Sequence, residues 1–240
     1  MNSVITQLGI DMVTRKKITF IELCKRDRYL FLLISLLSII LITPLFEGLV
    51  EITTLLDILI TLIFLSSLYA VSKKGQSLRI GIGLLLPVIV TMWLTYLVHI
   101  PYLSLVGDGC SILFFAFTII LILSSVFKED EITLDVIYGA VVVYLLMALM
   151  WAFTYDLLET LRPGSFQVTE THSQGTRVHF VYYSFVTITT VGYGDILPVS
   201  LTARSLSILE MVVGQIYLIV LIARLVGINI TQSMEKKSKE

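Results

Sequence analysis

A short stretch late in the sequence has residue types that could bind a cation through main-chain oxygens. Its residues are Thr190, Val191, Gly192, Tyr193 and Gly194. Glycine adopts left-handed and mirror-image β angles without steric cost, so the two alternating glycines would let successive carbonyl oxygens point the same way. A ring of such segments would stack carbonyl cages of a size that suits a dehydrated monovalent cation.

The composition places this stretch in a membrane protein. Of the 240 residues, 56% are hydrophobic and 15% are charged, whereas charged residues make up about 25% of an average soluble protein. Mean hydropathy is +0.92. No P-loop, catalytic triad motif or zinc-spaced cluster of ligands occurs, so we expect no enzyme activity, no cofactor and no nucleic-acid partner.

Six segments are apolar over the length that a helix needs to cross a bilayer, about 20 residues. They are residues 29–46, 52–71, 80–98, 109–127, 132–158 and 201–228. Between the last two, glycines break up residues 178–199, so this segment is predicted to dip in and return. The predicted fold is an all-α membrane protein with six transmembrane helices, one re-entrant helix and a strand that carries residues 190–194.

Basic residues predict the orientation. With both termini in the cytoplasm, fourteen of the seventeen Lys and Arg side chains lie inside, as the positive-inside rule favours. They are Arg15, Lys16, Lys17, Lys25, Arg26, Arg28, Lys73, Lys74, Arg79, Lys128, Arg224, Lys236, Lys237 and Lys239. Only Arg162, Arg177 and Arg204 lie outside, and we expect a multi-pass protein of the cell membrane.

Acidic residues collect on the predicted outer side. They are Glu47, Glu51, Asp108, Asp156, Glu159, Glu170 and Asp195. Such an excess over three bases would concentrate cations near an external opening. A merely solvated outer face is the alternative interpretation.

Residues 178–189 suit a helix that crosses half of the membrane. They are aromatic and lightly charged, and irregular backbone at membrane depth is tolerated where it lines a watery cavity. The buried C-terminal end of such a helix carries roughly half a negative charge. A cation just beyond that end is therefore favoured.

Residues 190–194 resemble the selectivity filter of potassium channels, within the superfamily of tetrameric P-loop cation channels. The resemblance runs without a gap from Val178 to Ile228. It includes the aromatic pair in the pore helix, a threonine before the filter, an acid and a proline after it, and an inner-helix glycine. These residues are Tyr182, Tyr183, Thr189, Asp195, Pro198 and Gly214.

The resemblance implies a role for each filter residue. The carbonyl oxygens of Thr190, Val191, Gly192 and Tyr193 would bind K⁺, with the Thr190 hydroxyl at the cavity end. The Tyr193 ring would pack outward against Tyr182 or Tyr183, and Gly194 would turn the strand into the outer vestibule. Tyr182, Tyr183, Thr189 and Asp195 would support the filter.

One position departs from the pattern. In some relatives the middle of the pore helix carries a glutamate that shares a proton or water with the aspartate, and here that position is Val186. Asp195 then needs another partner, and Tyr182 or water is expected. Slow inactivation is the consequence to look for.

One filter segment cannot surround an ion, and the chain has one copy and no repeat. We therefore expect a homotetramer with fourfold symmetry, whose partners are itself, membrane lipid and K⁺. The expected parts of the chain are a basic cytoplasmic arm at 1–28, a four-helix membrane domain at 29–127, a pore domain at 132–230 and a cytoplasmic tail at 231–240.

The sixth span is predicted to line the inner path. Gly214 is expected either to be a bending point or to allow close helix packing. By resemblance, Gln215, Leu218, Ile222 and Val226 face the cavity, and an apolar ring at Ile222 or Val226 could close it by dewetting. Glu210 is expected behind the pore helix, protonated or hydrogen-bonded to one of its hydroxyls.

The sequence contains no clear sensor for a stimulus. The fourth span has no arginine, and steep voltage gating needs several charges that cross the field. Asp57 is expected near the interface or in a small hydrated crevice, and the polar segment 159–177 caps the pore or binds a partner. His172 and His179 are interpreted as surface residues. Cys24 and Cys110 lie on opposite sides and cannot bridge each other.

The N-terminal arm is interpreted either as an interfacial helix on anionic lipid or as a solvated segment. The favoured function is a channel that conducts K⁺ passively and is not steeply voltage-gated. The alternative is a poorly selective cation channel or a subunit of a potassium-uptake transporter, although such transporters usually carry four degenerate filters in one chain. A membrane sensor or enzyme would need a signalling or catalytic domain that the sequence lacks.

Overall fold

The computed structural model describes residues 28–46, 52–72, 75–95, 97–98, 101–129, 131–168 and 176–239. Predictions for the arm before Arg28, and for the side chains of Glu47, Glu51, Glu170 and His172, lie outside these residues. So do those for Cys24, Lys73 and Lys74.

The described residues in the first half of the chain form four helices. α1 spans Arg28–Ile42 and continues as a 3₁₀ turn at Thr43–Phe46, and α2 spans Ile52–Val71. α3 spans Gly75–Leu94 and α4 spans Pro101–Val126. We call α1 to α4 the four-helix unit.

The second half begins with α5, Leu134–Leu161, and ends with α7, Leu201–Lys239. Between them lie strand β1 at Phe166–Val168, helix α6 at Thr176–Ile188 and strand β2 at Ile196–Pro198. α6 is the predicted pore helix, and α7 is the predicted sixth span.

Hydropathy located the helices but not all of their ends. α2 has the predicted bounds, whereas α3 begins and ends earlier than residues 80–98 and α4 begins at Pro101 instead of residue 109. Proline suits the first helical position because its missing N–H would have no partner there. α7 continues past residue 228 to Lys239, because backbone hydrogen bonding does not stop where the apolar pattern stops.

Among the described residues, five helices, α2 to α5 and α7, are long and apolar enough to cross a membrane. α1 has 15 residues, and at 1.5 Å per residue it is shorter than the roughly 30 Å hydrocarbon core. The structure thus has the several apolar helices of a multi-pass membrane protein, and a crossing by the first predicted span stays a prediction.

The all-α prediction needs one correction. β1 and β2 form a small antiparallel sheet in which Phe166 pairs with Pro198 and Val168 pairs with Ile196. The predicted strand at 190–194 is not part of it, and residues 191–193 have no regular secondary structure. The sheet joins the chain before the predicted pore helix to the chain just after residues 190–194. We call these five residues the filter segment, after their predicted role.

α5 lies at the centre of the packing. It contacts α1, α4, α6 and α7, and 67% of its apolar stretch is buried inside the protein. Thr133 caps its first turn by accepting a hydrogen bond from the amide of Val136 at 3.3 Å. Four phenylalanines join α2, α4 and α5 through ring contacts: Phe64, Phe114, Phe115 and Phe153.

Candidate functional site

Hydrogen bonds from α5 and α7 hold the pore helix α6. The Ser184 hydroxyl donates to the carbonyl oxygen of Ala148 in α5 at 2.6 Å. The hydroxyls of Tyr183 and Ser207 in α7 are 2.7 Å apart. At the C-terminal end of α6, the Tyr144 hydroxyl donates to the carbonyl oxygen of Ile188 at 2.9 Å. These bonds fix the helix end from which the filter segment starts.

Glu210 of α7 lies behind the pore helix, as predicted. It is fully buried. One carboxyl oxygen accepts a hydrogen bond from Tyr155 in α5, and the other lies within hydrogen-bond distance of the Ser184 hydroxyl in α6. Burying an ionisable group is costly unless hydrogen bonds satisfy it. The carboxyl group therefore links three helices at one point, and the predicted bond to a pore-helix hydroxyl is confirmed.

The filter segment has an unusual backbone. Gly192 and Gly194 have φ angles of 56° and 83°, and Thr190 has a φ of 61°. A positive φ at a residue other than glycine is uncommon, and the glycine pattern gave no signal for Thr190. The amide of Val191 donates to the carbonyl oxygen of Val186 at 3.0 Å, which satisfies one of the otherwise unpaired carbonyls at the end of α6.

The filter side chains stand away from the rest of the chain. Val191 is 52% exposed and Tyr193 is 72% exposed. Tyr183 instead is buried behind the pore helix, where its ring contacts those of Tyr155 and Phe166. Within the part of the chain that the structure describes, Tyr183 and Tyr193 form no ring contact. Of the two rings predicted to pack against Tyr193, that of Tyr183 therefore does not do so within the single chain.

Asp195 has found the partner expected for it. The Tyr182 hydroxyl donates to Oδ2 of Asp195 at 2.6 Å, and the amide of Ile196 donates to Oδ1 at 3.1 Å. The carboxylate just after the filter is thus bonded back to the middle of the pore helix, although Val186 offers it no carboxyl group. The prediction of Tyr182 as this partner is confirmed.

One face of α7 is packed and the other faces are open. Glu210, Gly214, Tyr217 and Leu221 are buried and recur at the three- and four-residue spacing of a single helix face. Three of the predicted cavity residues, Gln215, Ile222 and Val226, are exposed and lie off this face. The fourth, Leu218, is half-buried and packs against the core.

Gly214 is a close-packing position. A Cβ atom there would lie 2.7 Å from Cγ1 of Ile188 and 3.3 Å from its carbonyl oxygen. α7 is one unbroken helix on both sides of this glycine. Of the two expectations for Gly214, the structure supports close packing against the pore helix and shows no break in α7 at that point.

Sequence reasoning missed a cluster of one arginine and three aspartates, which lies at the N-terminal end of the pore helix. Arg177, the second residue of α6, donates to Asp57 of α2 at 3.2 Å, to Asp108 of α4 at 2.8 Å and to Asp156 of α5 at 3.0 Å. Its guanidinium also lies 5.0 Å from the centre of the Phe153 ring. Since the three acids are far apart in the chain, only their charge hinted at this pairing.

The cluster corrects one expectation. Asp108 and Asp156 are buried and bonded to Arg177, so these two acids neither belong to a solvated outer face nor stand free to attract cations. The basic partner of Asp57 is also Arg177, on the pore helix, and this partner was not predicted from the sequence.

A cavity of about 380 Å³ adjoins the cluster. Its lining includes the charged residues Asp57, Asp108 and Arg177 and several Ser and Thr residues, but also the apolar side chains of Val88, Met92, Leu103 and Phe153. The cavity lies where a crevice was expected at Asp57, and its lining is mixed.

The remaining titratable candidates do not form a site. Burial lowers the pKa of His179 from its ordinary value, which favours the neutral imidazole. Cys110 is a free thiol. Among the described residues, no group of three His, Cys, Asp or Glu side chains could hold a metal ion.

Comparison with known proteins agrees with this geometry. No curated protein and no solved structure matches the chain. Residues 131–230, from just before α5 into α7, match a family model described as "Ion channel". That stretch contains the pore helix, the filter segment and the buried face of α7. The match supports the function of an ion channel and not that of an enzyme.

Proposed function

We propose that four copies of this chain form a potassium-selective channel that conducts K⁺ passively through residues 190–194. The observation that carries this proposal is the backbone of the filter segment. Its positive φ angles lie at Thr190, Gly192 and Gly194, alternating positions at which main-chain carbonyls can be turned toward a common axis, at no steric cost at the two glycines. The segment also leaves the C-terminal end of a short helix, where the partial negative charge favours a cation.

The surface of the single chain supports a homotetramer. The filter residues are exposed. Only 22% of the apolar stretch of α7 is buried in the single chain, whereas 67% of that of α5 is buried. Large apolar side chains stand out from more than one side of α7, among them Ile216, Ile219 and Ile222. Four copies would bring their filter segments together and would cover part of this apolar surface.

Weak voltage dependence is part of the proposal. α4 occupies the position of a voltage-sensing helix and contains no Lys or Arg. Its acid, Asp108, is already paired with Arg177. Since each charge that crosses the full field contributes about 2.3 kcal/mol per 100 mV, a helix without mobile positive charges gives little steepness.

Ion flux from proteoliposomes tests the proposal. We expect barium-sensitive K⁺ flux that exceeds Na⁺ flux by at least about tenfold under matched gradients. Native mass measurement of the purified protein should give four chains. Equal Na⁺ and K⁺ flux would instead favour the poorly selective cation channel or the uptake-transporter subunit, and a monomer would overturn the proposed pore.

A further inference from the structure

We propose that Arg177 is a positioning residue for the pore, through which the four-helix unit holds the outer end of the pore helix and so influences conduction at the filter. This inference rests on the proposed channel function. It concerns how the two halves of the chain are coupled, which neither the family match nor the filter motif addresses.

The guanidinium group of Arg177 forms ion pairs with three aspartates at once. Its Nη1 reaches Asp57, its Nη2 reaches Asp108 and its Nε reaches Asp156, all within 3.2 Å. Each acceptor lies on a different helix, two of them in the four-helix unit. A planar guanidinium has donors in a rigid fork, so three simultaneous bonds fix its position and orientation more strongly than one flexible ammonium could.

Burial makes these bonds hard to replace by water. The Asp108 side chain is 3% exposed, and those of Asp57 and Asp156 are 13% and 11% exposed. Removal of one partner from a buried ion pair leaves an uncompensated charge, which is strongly unfavourable. Loss of Arg177 would leave three neighbouring carboxylates without their cation. The helices that carry them would then separate or admit water from the adjoining cavity.

The position of Arg177 along α6 gives the cluster its effect. α6 has 13 residues, so Arg177 lies near one end of a rod about 20 Å long and Ile188 lies at the other. Ser184 and Tyr183 join the middle of α6 to α5 and α7. Arg177 adds bonds to α2 and α4. A shift of those two helices would therefore pull on the outer end of α6 while Tyr183, Ser184 and Ile188 stay bonded to α5 and α7. The resulting strain would reach the filter segment along the helix.

The acidic residues of the four-helix unit have no ion-pair partner on α4, because α4 contains no Lys or Arg. Asp57 in α2 therefore cannot pair with an arginine of that helix. Instead Asp57 and Asp108 both bind the arginine of the pore helix. Two acidic side chains of this unit are thus bonded to the pore helix, and the influence of the unit would reach the filter from the outer side.

The main test compares Arg177→Gln and Arg177→Lys with Arg162→Gln in proteoliposomes. Arg162 is an exposed arginine on the same predicted face, and its side chain bonds Thr202 at 3.4 Å, so its replacement controls for the loss of one outer positive charge. We expect Arg177→Gln to lower K⁺ flux at least about tenfold and to reduce the K⁺/Na⁺ flux ratio, with Arg177→Lys in between. Arg162→Gln should stay within about twofold of the parent.

A rescue experiment separates positioning from simple loss of folding. Asp108→Asn in the Arg177→Gln background removes the most buried uncompensated carboxylate and should recover part of the flux. Asp108→Asn alone should lower flux, so the two changes are expected to be non-additive. Fully additive losses, or an Arg177→Gln channel with parental flux and selectivity, would overturn the proposal.

Hydrogen exchange provides a readout that does not require conduction. In Arg177→Gln, amides of residues 178–183 should exchange faster than in the parent, while those of 142–149 in α5 should be unchanged. Unchanged exchange in α6 would overturn the positioning role. If the parent chain conducts no K⁺ but α6 responds in this way, the channel proposal fails and the link between the four-helix unit and α6 stands. Should Arg177→Gln fail to assemble, the same measurements on Asp57→Asn decide the question.

Discussion

Ile188, the last residue of the pore helix, lies directly against Gly214 of the inner helix α7. A Cβ atom on Gly214 would come within 2.7 Å of Cγ1 of Ile188 and within 3.3 Å of its carbonyl oxygen. That same carbonyl oxygen accepts a hydrogen bond from Tyr144 in α5. The last residue of the pore helix, two positions before the filter segment, is therefore confined between α5 and α7.

Gly214→Ala should disturb the start of the filter. The added methyl group must displace Ile188, and overpacking of this kind costs about 1–3 kcal/mol. We expect lower thermal stability of the assembly and reduced K⁺ flux. Gly227→Ala in the same helix is the matched control, because a Cβ at Gly227 would meet no atom within 4 Å. Equal effects of the two substitutions would contradict the packing role of Gly214.

Gly194→Ala should abolish selective flux without preventing assembly. Gly194 has a φ of 83°, and an L-residue in this region is strained by roughly 1–2 kcal/mol. The strain would be relieved by rotation of the peptide unit, which changes where its carbonyl oxygen points. Gly164→Ala is the control, since Gly164 has a φ of 84° but lies in the loop after α5. Selective flux through Gly194→Ala would show that the filter backbone is not the one proposed.

Tyr182→Phe should speed the decay of K⁺ current during sustained conduction. It removes the 2.6 Å hydrogen bond to Asp195, a bond to a charged group worth about 1.5–3 kcal/mol. Asp195→Asn should have a similar effect, and the double variant should be little worse than either one. Tyr217→Phe, which removes a hydrogen bond to Ala140 in α5, should leave the decay rate unchanged. Independent, additive effects of Tyr182 and Asp195 would argue against their joint support of the filter.

Glu210→Ala should destabilise the assembly more than Glu210→Gln. Alanine leaves the Tyr155 hydroxyl without its acceptor, and a buried unsatisfied group costs about 1–3 kcal/mol. It also removes the bond between Glu210 and Ser184, whose hydroxyl keeps Ala148 as an acceptor. Glutamine keeps one acceptor oxygen at nearly the same volume. Thermal unfolding of the purified assembly measures the difference. If the two variants were equally stable, the carboxyl group would not be the link between α5, α6 and α7.

Conductance should change only shallowly between −100 and +100 mV. The expectation follows from the absence of basic residues in α4 and from the small charge that could then cross the field. Planar-bilayer recordings under symmetrical K⁺ provide the measurement. A steep sigmoidal conductance curve would show that charges elsewhere in the chain move through the field.

Most of the fold could be read from the sequence because lipid imposes simple rules. Apolar runs of sufficient length predicted the helices, and the bounds of α2 were correct. The predicted starts of α3 and α4 and the predicted end of α7 were wrong because polar residues continue these helices and hydropathy does not detect backbone hydrogen bonds. The pairing of β1 with β2 was missed as well, since two three-residue strands are too short to show an alternating pattern.

The sequence also indicated only some of the residues of the candidate site. Residues 190–194 stood out by type and spacing, and Tyr182 and Glu210 could be assigned partners from their positions around the pore helix. Ser207 and Ile188 were not singled out, because neither a serine nor an isoleucine in an apolar run is distinctive. Their roles follow from what lies opposite them in the folded chain.

By itself, the sequence determined that this is a membrane chain of apolar helices with a glycine-containing segment between the last two long ones. These properties depend on local composition and on the conformational freedom of glycine. Only the tertiary structure decided that Arg177 joins Asp57, Asp108 and Asp156, and that Gly214 packs on Ile188. Those contacts connect residues that are between 21 and 120 positions apart in the chain, and such distances are set by how helices pack, which local pattern does not record.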